Sequence, residues 1–215
     1  MSQSTVVPWD KIVPAYHQIF SSSFEPVSIL GETYDKKTTI RLLLSNKGLT
    51  SIPAEIGNLT FLQTLDLSYN SLTSIPAEIG NLINLKYIYL DNNSLTSIPA
   101  EIGNLTSLQE LDLRNNSLTS IPAEIGNLTS LNSLILYDNK LTSIPKEILK
   151  IKDKLIIDET GYNIDNLDLD TEILIFSELK SALTNLPVSL KEIYLKEDIK
   201  DYNIKLPFGC KIKFF

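Results

Sequence analysis

At 215 residues and 43% hydrophobic content, the chain can bury one sizeable core, or one continuous core drawn out along a stack of units. Its formal charge of -7, with no clustering of lysine or arginine in the repeats and only a short basic run at Lys205, Lys211 and Lys213, repels phosphate backbones and sets nucleic acid aside as a partner. One cysteine and one histidine exclude an internal disulfide and a four-ligand zinc site, and no stretch reaches the roughly 18 apolar residues that a membrane span requires.

Residues 1–38 read as an N-terminal cap. Trp9, Ile12, Tyr16, Ile19 and Phe20 recur at helix-like spacing, interrupted by Pro14, and predict a short helix lying over the first repeat. His17 lies on that stretch as a polar surface residue, with no second His or Cys to join it as a ligand. The opening residues lack a basic region followed by a long apolar run, so no signal peptide is expected. Together with the lone Cys210, this predicts a reducing, cytoplasmic setting. On that reading the sequons at Asn58, Asn92, Asn104, Asn115 and Asn127 are by-products of repeated asparagine.

Residues 39–153 are an internal repeat. Leu62, Leu85, Leu108 and Leu131 are 23 residues apart, as are Asn70, Asn93, Asn116 and Asn139. Leu65-Asp66-Leu67 and its copies alternate as a strand with one buried face does, and stacked copies predict a parallel sheet. An asparagine after each strand can serve turn backbone groups that stacking leaves unpaired. The return leg, Ile75-Pro76-Ala77-Glu78-Ile79-Gly80-Asn81-Leu82, predicts one or two helical turns. Proline stands at their start, Glu78 in the first turn and Gly80 near the end. Neither strand nor turn buries its face alone, so stability comes from stacking.

The pattern Leu62-x-x-Leu65-x-Leu67-x-x-Asn70-x-Leu72-x-x-Ile75-Pro76-x-x-Ile79-x-x-Leu82 resembles the leucine-rich repeat family, and its Ile-Pro-Ala-Glu-Ile-Gly-Asn-Leu return is similar to the Ras-scaffold and plant-like classes. The resemblance implies an α/β fold: a curved solenoid with a parallel sheet on its concave side, used mainly to bind proteins. In the first copy Lys47 replaces the turn asparagine and Thr39 the leading leucine, as suits a capping unit.

Residues 154–215 leave this register. A weaker period of 20 joins Ile173 to Ile193, Ile175 to Leu195, and Leu186-Pro187 to Leu206-Pro207. It predicts strands near 172–176, 190–195 and 210–215 that continue the sheet as irregular repeats, with Cys210 at a buried structural position.

Chemistry finds little support. No Gly-x-x-x-x-Gly-Lys loop is present, and a triad or a cysteine nucleophile would have to join residues from opposite ends of the chain. The aspartates of the sheet would be spread too widely for calcium. No catalysis, metal or cofactor is therefore expected.

A binding reading comes from where the copies differ. The convex positions Ala77, Glu78 and Asn81 repeat almost unchanged, whereas the concave columns read Thr64, Tyr87, Glu110, Ser133; Asp66, Tyr89, Asp112, Ile135; Ser68, Asp91, Arg114, Tyr137; and Tyr69, Asn92, Asn115, Asp138. Tyr69, Tyr87, Tyr89, Asp91, Asp112, Arg114 and Tyr137 are the candidate contacts for a protein partner with a basic face, the tyrosines as rigid area and Arg114 to pair with a carboxylate. The other readings are a substrate-recognition subunit of a larger enzyme complex, and a structural repeat with no specific ligand.

Overall fold

The computed structural model describes residues 26–157, 161, 162, 167, 171, 173–177, 182–184, 186–197, 199 and 204–215. The expected helix through Trp9–Phe20, with His17, lies outside the described residues. Six short strands form one parallel sheet in chain order: β3 (Arg41–Leu43), β4 (Thr64–Asp66), β5 (Tyr87–Tyr89), β6 (Glu110–Asp112), β7 (Ser133–Ile135) and β8 (Leu155–Ile156). From β3 to β7 each rung pairs with its neighbour at an offset of one repeat, Leu65 beside Leu42 and Ile88 beside Leu65. The fold is a leucine-rich-repeat solenoid.

The return legs form tight 3-10 turns at Ala54–Asn58, Ala77–Asn81, Ala100–Asn104 and Ala123–Asn127, each preceded by proline. A fifth, Lys146–Lys154, is broken at Ile151. Leu62, Leu65, Leu67, Leu72, Ile79, Leu82 and their equivalents fill one continuous core between sheet and turns. The glycine of each turn lies near its end, as the spacing predicts, and its close packing adds a reason the sequence does not state. At Gly80 and its equivalents each repeat lies so close to the next that there is no room for a side chain. A Cβ on Gly57, Gly80, Gly103 or Gly126 would fall 2.5–2.7 Å from the carbonyl oxygen of Glu78, Glu101, Glu124 or Glu147 in the following repeat.

The asparagine row behaves as the spacing predicts. Asn116 Oδ1 accepts from the Leu95 N–H at 2.9 Å, while its Nδ2 donates to the Leu90 and Leu113 carbonyls at 3.0 Å. Asn70, Asn93 and Asn139 repeat that set. In the first copy, where Lys47 stands in place of the asparagine, its backbone N–H donates to Asn70 Oδ1 of the next rung at 3.0 Å.

Ahead of β3 stands an antiparallel hairpin that the sequence pattern does not announce, β1 (Pro26–Ile29) and β2 (Glu32–Asp35). Its two-residue loop, Leu30-Gly31, has both φ angles positive, as a hairpin of right-handed twist prefers. Val27 and Ile29 bury into the end of the core against the first 3-10 turn, so this hairpin closes the described N-terminal end.

Beyond β8 the structure corrects two expectations. Strands do form where expected, at β9 (Ile173–Phe176), β10 (Glu192–Leu195) and β11 (Lys211–Phe214), but they make a separate three-stranded parallel sheet. Their register is also 19 residues, not 20: Ile193 lies beside Leu174 and Phe214 beside Leu195. Side chains take over where the ladder stops. Ser177 donates its N–H to the Ile157 carbonyl and its hydroxyl accepts the Ile157 N–H, both at 2.8 Å. The buried Tyr162 hydroxyl donates to the Ile175 carbonyl at 3.0 Å and accepts the Ile175 N–H at 3.2 Å. Such bonds satisfy the backbone without a continuous strand pair. Cys210, expected to be buried, is only partly so, and desolvation still raises its thiol above the ordinary range.

Candidate functional site

Alternation along each strand sends Leu65, Ile88, Leu111 and Leu134 inward and leaves the residues either side on the concave face. Tyr87 and Tyr89 flank Ile88 on β5, both half-exposed, with Thr64 and Asp66 on one side and Glu110 and Asp112 on the other. The Tyr87 hydroxyl donates to Gln109 Oε1 at 3.0 Å, which fixes its ring across the next rung. Burial, and then the negative charge of Glu110, hold the Tyr89 hydroxyl above its ordinary pKa, so it stays neutral.

One rung further, Asp112 accepts the Arg114 backbone N–H on Oδ1 at 3.1 Å and meets Arg114 Nε with Oδ2 at 3.1 Å. Arg114 Nη1 then donates to the Tyr137 hydroxyl at 2.7 Å, with the guanidinium 5.8 Å from the centre of that ring. Asp112, Arg114 and Tyr137 thus form one linked chain from β6 to the rung after it. Desolvation lifts the Asp112 carboxyl to about 6 against the opposing pull of the Arg114 N–H and guanidinium, and Asp91 and Glu110 add to the lift.

Of the seven candidate contacts, Tyr87, Tyr89, Arg114 and Tyr137 lie together on this face. Asp91 and Asp112 do not present themselves as exposed carboxylates, being 5% and 2% exposed. Each folds back on its own chain, Asp112 onto Arg114 and Asp91 onto the Asn92 amide at 2.8 Å. Arg114 differs from expectation too: its Nε and Nη1 are already engaged by Asp112 and Tyr137. Tyr69 is 60% exposed but stands past the strand, with φ at 53°. The same left-handed position is held by Asn46, Asn92, Asn115 and Asp138, residue types that tolerate it, so Tyr69 keeps an aromatic ring at a backbone cost the other copies reduce.

Several residues of this face were not singled out from sequence. Leu43, 55% exposed, and Ile156, 39% exposed, extend the column of Asp66, Tyr89, Asp112 and Ile135 at either end. Following that column back one period from Asp66 would have found Leu43, whereas Ile156 lies 21 residues past Ile135 and off the 23-residue period. Asp66 Oδ1 accepts the Ser68 N–H at 3.0 Å and its hydroxyl at 2.6 Å, a second copy of the Asp112 arrangement without an arginine. Among the described residues no His, Cys, Asp or Glu group is arranged to hold a metal ion, and no helix is long and apolar enough to cross a membrane.

A family model described as a leucine-rich repeat region matches residues 36–116 and 77–155, together more than half of the chain. No curated protein matches the sequence. Among solved structures, a Leptospira interrogans LRR protein, LIC12759, is 29% identical with a TM-score of 0.53, over 78% of this chain and 52% of that one. The LRR ectodomain of the receptor kinase SOBIR1 from Arabidopsis thaliana is 28% identical with a TM-score of 0.51, over 65% of this chain and 78% of that one. The structure of PEPR1-AtPEP1 is 28% identical with a TM-score of 0.51, over 72% of this chain and 24% of that one. The chain spans about half the length of the Leptospira protein and a quarter of the PEPR1-AtPEP1 chain.

Proposed function

The chain belongs to the leucine-rich repeat family, and from that membership we propose that it is a protein-binding module, without catalysis of its own, whose contact surface is the concave sheet centred on Tyr87, Tyr89 and Tyr137. Proteins of this family generally serve as non-enzymatic binding modules. One observation carries the choice of face. Side chains on the concave rungs change from copy to copy, while the turn side repeats Ala-Glu-Ile-Gly-Asn-Leu. The glycine spacing accounts for part of that constancy, because Gly57 and its equivalents admit no side chain. Some concave positions are constrained as well, since Ser68, Asp91 and Asp112 are buried, but the half-exposed positions of Thr64, Tyr87, Glu110 and Ser133 and of Asp66, Tyr89 and Ile135 share no residue type and include tyrosine, a type well suited to anchoring a partner.

Affinity purification from the native cell tests this reading, with wild type beside a Tyr87→Ala/Tyr89→Ala variant. Arg114 is left intact, since its removal would strand the buried Asp112. A protein retained by wild type and by a convex Glu78→Gln/Glu101→Gln variant, but lost by the tyrosine variant, supports the concave module. Equal retention by all three removes it.

A further inference from the structure

The charge on the concave sheet says what kind of segment it would accept. Across β4 to β6 the half-exposed carboxylates are Asp66 and Glu110, while Asp91 and Asp112 are buried and bonded to Asn92 and Arg114. The one guanidinium among them, Arg114, is held by its bonds to Asp112 and Tyr137, with its side chain still 38% exposed. Arg41 lies on the terminal rung, and Lys86 precedes β5 on the approach to the sheet. Asp66 and Glu110 are half-exposed on either side of Tyr87 and Tyr89, so two carboxylates flank two aromatic faces.

That combination suits a positive group twice over. A lysine or arginine over a tyrosine ring is attracted by the ring's negative face, and an adjacent carboxylate adds Coulomb attraction. An acidic segment would meet repulsion from the same residues, with Arg114 already occupied. Geometry limits the length: Asp66 and Glu110 are two rungs and two residues apart, about 12 Å, which an extended chain covers in about three to four residues.

Resting on the concave binding module, we propose that its occupant is an extended cationic polypeptide segment, with two basic side chains about three residues apart seated over Tyr87 and Tyr89 between Asp66 and Glu110. The surface reads charge and aromatic fit together, and rungs β4 to β6 carry both.

The test uses two labelled synthetic nonapeptides, one with arginine at every third position and one with glutamate there, titrated against the purified full chain by fluorescence anisotropy. The arginine peptide is expected to bind and the glutamate peptide not to. Asp66→Asn/Glu110→Gln, whose amides keep the side-chain shape and the Ser68 acceptor, should weaken the arginine peptide at least tenfold. Glu78→Gln/Glu101→Gln removes the same charge from the turn side and should change its affinity less than twofold. Equal weakening by both pairs overturns the proposal, because the attraction then belongs to the whole acidic molecule. No binding of the arginine peptide, or tighter binding of the glutamate peptide, overturns it as well.

The same two variants separate this proposal from the reading beneath it. A native partner lost on Tyr87→Ala/Tyr89→Ala but unaffected by Asp66→Asn/Glu110→Gln leaves the concave module standing and ends the cationic assignment. A partner indifferent to both pairs ends both.

Discussion

Single side chains decide whether the stack can close. Asn116 supplies an acceptor to the Leu95 N–H and donors to the Leu90 and Leu113 carbonyls, so three backbone groups from two adjacent rungs meet at one amide. Asn116→Leu should cost about 1–3 kcal/mol, because leucine leaves those groups buried and unpaired. Ser117→Ala next to it should cost little, and the contrast is read from urea unfolding midpoints. Asp112 makes the opposite case. Its folded pKa is raised from 3.8 to about 6, so between those values the folded state holds a proton that the unfolded chain has released. Its contribution to stability therefore falls as pH rises through that window and is flat above it. Asp112→Asn should raise stability by on the order of 1–2 kcal/mol at pH 7.5 and give no gain below pH 4, which thermal melts across pH would show. A gain at low pH alone would mean that the carboxylate is held by its arginine more than it is burdened by burial.

Elements are where sequence and structure part company. Rungs β3 to β7 were legible because each inward leucine or isoleucine recurs without slippage, and the turn asparagine was legible because its amide both gives and accepts at a fixed place in every copy. Other elements depend on what lies beside them. The hairpin of β1 and β2 escaped notice because Leu30-Gly31 lacks the Asn-Gly signature of such a loop, and the burial of Asp91 and Asp112 depends on partners that periodicity does not specify. Proline spacing also misled at the C-terminal strands: Leu186-Pro187 and Leu206-Pro207 are 20 apart, yet the strands after them pair at 19. Each element carries a test. Gly103→Ala would place a Cβ 2.5 Å from the Glu124 carbonyl oxygen, so two return legs must separate, at about 1–3 kcal/mol in chemical unfolding. Tyr162→Phe keeps the ring that packs 5.2 Å from Phe176 but leaves the Ile175 N–H and carbonyl without the hydroxyl. It should cost about 1–3 kcal/mol and speed amide exchange at Ile175 first.

At the scale of the whole molecule, each repeat leans on its neighbours through the same joint, from Gly57 against Glu78 to Gly126 against Glu147. The array is therefore indifferent to how many rungs it holds. Excising residues 77–99 would splice Pro76 directly onto Ala100, restore the Ile-Pro-Ala-Glu return, and set Gly57 against Glu101 as it now sits against Glu78. Circular dichroism and melting should show a shorter chain that still folds, having lost the rung that carries Tyr87 and Tyr89 and nothing else. Length in this chain is thus a quantity that whole-unit gain or loss can alter in frame, exchanging one row of reading residues while every joint of the scaffold stays the same.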